Sequence, residues 1–357
     1  NLFVNGTGVL IQQPTADLSP VNLHTRNTYT GIYATDTIDI NLNLSLTAGA
    51  RFNVAQVKLD DTLGSALDSD SRYSHLNPVI GLTYKILPNM TAYAGYSQAN
   101  RAPTPLELGC SDPAHPCLID TFLVSDPPLK QVVSYTYEAG LRGTEFGQKL
   151  RWNIGAYRTI SKDDIINVAS EISGFGFFQN AAKTRRQGVE AGLSYKEDRW
   201  SAYANYAFVD ATFQTPLTLS SPQNPAADAD GNLFVVPGNH IPGIPQQRFK
   251  VGFEYSITQP WTVGADLNAV GSQYLIGDQS NQNPKVPAYW VVNMHTSYKI
   301  NKNVEVFGLV QNLFNQRYYA AGTFFDTQGI SFLTFNDPRT FVPGMPLAAY
   351  AGIRATF

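Results

Sequence analysis

From Leu42 to Val54 every even-numbered residue is apolar and every odd-numbered residue is polar or glycine. Side chains alternate between the two faces of a β-strand, so this pattern predicts a strand with one apolar and one polar face. The run is also much longer than the usual strand of about 5–6 residues in a soluble protein. The same alternation returns along the chain. Trp200, Ala202, Ala204, Tyr206 and Phe208 form one apolar face, and Phe249, Val251, Phe253, Tyr255 and Ile257 form another. Trp261, Val263, Ala265, Leu267 and Ala269 repeat it, as do Trp290, Val292, Met294 and Tyr298. A chain written this way is committed to a sheet of long strands whose whole apolar side must be covered.

The connections alternate in length. Asp39–Asn41, Leu87–Asn89, Phe146–Lys149, Lys196–Arg199, Thr258–Pro260 and Asn301–Asn303 read as short turns. The segments 58–72, 98–131, 214–244, 277–286 and 325–344 read as long loops and hold most of the proline. Short turns at one end and long loops at the other predict an all-β, antiparallel, up-and-down transmembrane barrel. About 13 strands follow from Asn27 onward, with a possible partial one in Leu2–Ile11, giving 13 or 14. Trp152, Trp200 and Trp261 each follow a short turn, and Trp290 opens its strand at the long-loop end. Aromatic rings at strand ends suit the two membrane interfaces.

Composition agrees with a wall between lipid and a polar lumen. Charged residues are 15%, against about 25% for an average soluble domain, while aromatics reach 12% and mean hydropathy is −0.18. No apolar run approaches the roughly 18 residues of a membrane helix. With 25 Lys+Arg against 28 Asp+Glu the chain lacks the basic excess of a nucleic-acid binder. Asn1–Gln13 does not read as a secretory leader, so the expectation is that a leader was removed or that the first part of a longer protein is absent.

Several segments resemble one family, the TonB-dependent outer-membrane receptors. Gly31-Ile32-Tyr33-Ala34-Thr35-Asp36 is similar to its Gly-x-Tyr-Ala-x-Asp strand, and Thr47 to Phe52 to the Gly-x-Arg-aromatic strand after it. Tyr96-Ser97 with Arg101-Ala102-Pro103-Thr104, Glu138-Ala139-Gly140-Leu141-Arg142, and Asn180 with Arg186-Gln187-Gly188-Val189-Glu190 resemble later strands. Asn312-Leu313-Phe314-Asn315-Gln316-Arg317-Tyr318 resembles the family's Asn-Leu-Phe-x-x-x-Tyr motif, the most specific of the set. The terminal Ala351 to Phe357 resembles the signal read by the outer-membrane insertion machinery.

The resemblance implies a wall strand for nearly every segment and a location in the bacterial outer membrane, surrounded by its lipid. It also exposes a departure. The family barrel has 22 strands and a plugged lumen, whereas nothing here resembles the plug domain or the box that contacts TonB. Residues 1–357 therefore read as a single region, the C-terminal portion of such a barrel. A smaller closed barrel, or a partner that closes the sheet, are the alternatives.

Charges facing lipid near its midplane would cost a few kcal/mol, so Arg51, Glu138, Arg142, Glu190, Asp266 and Arg354, on the polar register, are expected to face the lumen and a plug. Cys110 and Cys117, in the longest outer loop, are expected to form a disulfide. A soft-metal site of Cys110, Cys117 and His115 is the alternative, and no metal site is expected. Candidate substrate contacts are Arg101, His115, His240, Tyr274, Phe324, Phe325 and Phe332. The acidic stretch Pro225–Asn232 reads as a solvated turn rather than a calcium loop. No catalytic motif or cofactor signature appears. The resemblance implies TonB-energised uptake of a scarce nutrient, most often a ferric siderophore, with the iron chelate and the TonB complex as partners. A passive porin-like channel and an outer-membrane barrel enzyme are the other readings.

Overall fold

The computed structural model describes residues 2–4, 7–9, 22–64, 67–109, 117–118, 129–169, 175–324 and 337–356. In chain order the strands are β1 (Leu2–Val4), β2 (Thr7–Val9), β3 (Leu23–Asp39), β4 (Leu44–Asp61), β5 (Ser69–Leu87) and β6 (Met90–Arg101). The short helix α1 (Pro105–Leu108) precedes β7 (Cys117–Leu118), β8 (Val132–Glu145), β9 (Leu150–Ala169), β10 (Phe175–Lys196) and β11 (Trp200–Phe213). Then come β12 (Leu217–Ser220), β13 (Asn232–Val235), β14 (Gln247–Ser256), β15 (Trp261–Val270), β16 (Tyr289–Lys299) and β17 (Val304–Gln311). The series ends with β18 (Tyr319–Phe324), β19 (Arg339–Pro343) and β20 (Ala348–Ala355).

Thirteen of these form one antiparallel wall in the order β3-β4-β5-β6-β8-β9-β10-β11-β14-β15-β16-β17-β20, with β7 added against the upper part of β10. The expected strand number holds, with one change: among the described residues Leu2–Val4 and Thr7–Val9 pair with each other and not with the wall. Among the described residues the outer edges of β3 and β20 are not paired with each other.

The short turns fall where the sequence puts them, and their chemistry shows why. Asn41 Oδ1 accepts from the N–H groups of Asn43 and Leu44, both at 2.9 Å. Asn301 repeats this with Asn303 and Val304 at 2.9 and 3.0 Å. The Asn side chain thereby stands in for a turn's backbone acceptor. Between β8 and β9, Phe146, Gly147 and Gln148 all take positive φ.

The strands outrun the expectation on one side of the wall. β4 reaches Asp61 and β5 starts at Ser69, so the loop expected over 58–72 shrinks to a short connection. β10 has 22 residues, roughly 70 Å of extended chain, well beyond what about 9–11 residues need to cross a bilayer. The upper ends therefore stand above the membrane and carry the buried apolar clusters. Val168, Phe177 and Phe213 pack there with Leu219 and Val235 of the β12–β13 hairpin, and Val57 and Leu59 pack with Leu108 and Leu129. The segment 214–244, expected as a loop, thus contains a hairpin; its strands have four residues each, too few to show a period.

Lower down, the described residues form no such core. Its apolar face stays exposed: Leu82, Ile154, Leu193, Phe253 and Tyr298 are each 44–48% accessible. A face like that across many strands calls for lipid rather than water. Trp152, Trp200, Trp261 and Trp290 share it, by register with Leu193, Tyr255, Tyr298 and Ala269 respectively.

Candidate functional site

Strand register assigns every wall side chain to a face. Gly95 pairs with Glu138, Arg142 with Asn153, Asn153 with Gly192, Gly192 with Asn205, and Asn205 with Lys250. Lys250 pairs with Asn268, and Asp266 with Asn293. Followed strand by strand, these pairings put Arg51, Glu138, Arg142, Glu190, Asp266 and Arg354 on one and the same face, opposite the apolar one. Four of them have a polar or aromatic partner there. Arg51 Nε donates to Asn53 Oδ1 at 2.6 Å, Asp266 Oδ2 accepts from Asn268 and Asn293 at 2.7 and 3.0 Å, and Arg354 meets Glu305 at 3.4 Å. The Arg142 guanidinium lies 6.0 Å from the Tyr93 ring centre. Two strand histidines share this register: His295, 3.1 Å from Glu254, and His75 of β5, directly opposite Asn53. His75, like His24 of β3, lies in a stretch that the sequence does not show as strand.

Two concavities of this polar face share Asn153, Gly192 and Asn205 in their lining. One, of about 640 Å³, is lined by Glu190, Asn205, Arg248, Lys250, Asn268 and Tyr289. The other, of about 770 Å³, is lined by Tyr93, Arg142, Arg151, Asn153, Tyr203 and neighbours. The first carries Arg248 and Lys250 against the single carboxylate of Glu190, a positive balance on its charged side chains. Tyr289 stacks on Tyr318 with ring centres 4.4 Å apart. Arg248, Lys250 and Tyr289 were missed as candidates. The signal was present, because the apolar run Phe249-Val251-Phe253 forces Arg248 and Lys250 onto the opposite register.

The outer-end candidates divide. His240 and Tyr274, far apart in sequence, come together with ring centres 5.8 Å apart at 18°. His240 Nδ1 lies 3.5 Å from Asp210, and the Lys285 ammonium sits 4.4 Å over the Tyr274 ring. Phe324 lies against Gly277, whose φ is +94° and where a Cβ would come within 3.1 Å of the Phe324 ring. Arg101 pairs with Glu107 at 2.7 Å, and Glu107 closes a capping box with Thr104 at the start of α1. The Arg-Ala-Pro-Thr segment is thereby a folded corner, with Ala102 buried. Cys110, His115, Phe325 and Phe332 lie outside the described residues; Cys117 contributes its backbone to β7, opposite Gly176 of β10. The acidic turn is held by Asp228, whose Oδ1 accepts from Asp230 and Asn232 N–H at 3.0 and 2.8 Å. Among the described residues no cluster of three metal-ligating side chains occurs.

The Asn-Leu-Phe-x-x-x-Tyr segment forms a clamp. Asn312 is buried with φ +48°. Its side chain accepts from Gln316 N–H and donates to the carbonyls of Gln316 and Met345, all at 2.9 Å. Asn315 Oδ1 accepts from Leu347 N–H at 3.1 Å. The corner after β17 is so tied to the entry of β20.

A long-stranded antiparallel wall with one lipid-type face and one polar face is that of a transmembrane β-barrel protein. Residues 5–313 match the family model described as TonB dependent receptor-like, beta-barrel, and the chain belongs to that family. It lies in the bacterial outer membrane. Among curated relatives, it is 24% identical over 294 residues to the probable TonB-dependent siderophore receptor PiuA of Acinetobacter baumannii, covering 81% of this chain and 37% of that protein. It is 26% identical over 334 residues to the ferric-pyoverdine M114 receptor PbuA of Pseudomonas sp. strain M114, covering 90% of this chain and 36% of the relative. The crystal structure of the siderophore receptor PiuA from Acinetobacter baumannii superposes with a TM-score of 0.69 at 18% identity, over 93% of this chain and 44% of that one. The copper transporter OprC superposes at 0.68 and 17%, over 93% of this chain and 49% of its own. The chain thus spans less than half the length of these relatives, all of them receptors or transporters rather than enzymes.

Proposed function

We propose that this chain is the wall and outer-loop portion of a receptor that takes up a ferric siderophore across the outer membrane with energy supplied through TonB. The observation that carries the reading is the family match over residues 5–313, together with relatives named as siderophore receptors. Among the described residues the outer edges of β3 and β20 have no partner strand, which supports the view that residues 1–357 are the C-terminal part of a larger barrel, since open sheet edges are not tolerated in lipid. The plug and the TonB-contacting box then belong to segments outside this chain.

In this mechanism no covalent bond changes. The lumenal side chains Arg51, Glu138, Arg142, Glu190, Asp266 and Arg354 hold a plug by hydrogen bonds and ion pairs. The cavity with Arg248, Lys250 and Tyr289 supplies positive charge and an aromatic surface for an anionic chelate. The outer-loop candidates, including the stacked His240 and Tyr274 with Lys285 beside them, make the first contacts. Cys110 and Cys117 close their loop as a disulfide.

The test is uptake of ⁵⁵Fe-loaded siderophores by cells carrying the full-length gene as their sole receptor, with and without TonB. Uptake of at least one chelate that disappears without TonB is expected. Equal uptake without TonB, accompanied by ion conductance in planar bilayers, would replace this reading with the porin-like channel.

A further inference from the structure

The apolar face of the wall ends, on three neighbouring strands, in a row of polar side chains. Arg158 Nε donates to Gln187 Oε1 at 2.9 Å. Gln187 Nε2 donates to Asp210 Oδ2 at 3.0 Å, and the Arg185 guanidinium reaches the same oxygen at 3.3 Å. Register sets Arg158, Gln187 and Asp210 directly across from one another. It also sets them on the face of Tyr137, Val189 and Phe208, which is the side turned to lipid.

The next rungs outward are basic. Arg185 stands opposite Ile160, and beyond it Lys162 stands directly opposite Lys183. Like charges directly opposed on paired strands destabilise the sheet. Among the described residues neither lysine is in an ion pair; Lys162 finds only the Tyr135 ring, 5.0 Å from its ammonium. Arg185 Nε is buried without a hydrogen-bond partner. Four cations, Arg158, Lys162, Lys183 and Arg185, thus share this patch with one carboxylate, Asp210, whose other side is taken up by His240.

A cationic ladder on top of an apolar surface is complementary to a molecule with phosphates joined to acyl chains. We propose that the outward face of β9 and β10 is a binding site for a phosphate-bearing lipid of the outer leaflet. Its phosphates bridge Lys162, Lys183 and Arg185, and its chains lie on Tyr137, Val189 and Phe208. Phosphate oxygens turn the opposed lysines from a repulsive pair into two arms of one charge-assisted clamp.

The full-length protein in dodecyl maltoside is titrated with bis-phosphorylated lipid A, with the same lipid stripped of phosphate, and with inorganic phosphate, and retained lipid is read by native mass spectrometry. Affinity for the phosphorylated lipid should exceed that for the stripped form by about tenfold or more, and K162E/K183E should lose a comparable factor while K162R/K183R keeps it. Heat-dependent electrophoretic mobility reports whether each variant is folded, and the two-lipid comparison on the unaltered protein decides if one is not. Equal retention of the stripped lipid, undiminished binding by folded K162E/K183E, or saturation by inorganic phosphate with displacement of the lipid would each overturn the proposal.

Discussion

Asn312 shows how a family motif can be structural in content. Three hydrogen bonds from its buried side chain join the corner after β17 to the entry of β20. Removing them leaves the Gln316 and Met345 backbone groups without this partner, and a left-handed φ disfavours most replacements. Asn312→Ala is expected to lower stability by about 2–4 kcal/mol, read as a shift of the urea midpoint of the barrel's heat-dependent mobility. Arg101 makes a contrasting case. Its pair with Glu107 is half exposed on the arginine side, so Arg101→Ala should cost about 1 kcal/mol or less by the same assay. A tenfold loss of chelate affinity without such a shift would mark Arg101 as a binding residue instead. In the segment before β19, the Arg339 guanidinium donates to Asp337 and holds its carboxyl down to about 2. A lowered carboxylate stabilises the fold above its ordinary value and loses that contribution as pH falls through about 2. An NMR titration of Asp337 should therefore show it ionised throughout pH 4–8, and Arg339→Ala should return it to about 3.9.

At the scale of strands, the long alternating runs were legible because the period leaves no choice of face. Their outer extensions were not, since the buried register changes face there: in β4 Ala55, Val57 and Leu59 are buried on the register that carries Arg51 and Asn53 lower down, while Gln56 and Lys58 stay exposed. The polar face is interlocked by large side chains lying over glycines. Tyr93 covers Gly155, where a Cβ would come within 2.6 Å of the Tyr93 hydroxyl. Gly155→Val should displace Tyr93 and cost about 1–3 kcal/mol, with a slower gain of the heat-resistant mobility on refolding. A variant with unchanged midpoint and rate would show that the ring has free space elsewhere.

For the whole molecule, the decisive fact is that, among the described residues, the outer edges of β3 and β20 pair with no other strand. Expressed by itself in detergent, residues 1–357 should show rapid hydrogen exchange at the outward-facing amides of these two strands and slow exchange in β9, β10 and β11, which are paired on both sides. Protection of both edges would mean that the chain closes on itself or on a second copy.

The sequence by itself determined the strand type, the two faces, the short turns and the family, because each rests on local spacing that no distant contact can change. Only the tertiary structure decided which residues meet. The approach of His240 to Tyr274, the Asn312 bonds to Met345 and the opposition of Lys162 to Lys183 depend on loop paths and on register between strands. A single-strand pattern states which face a side chain takes but not what stands across from it.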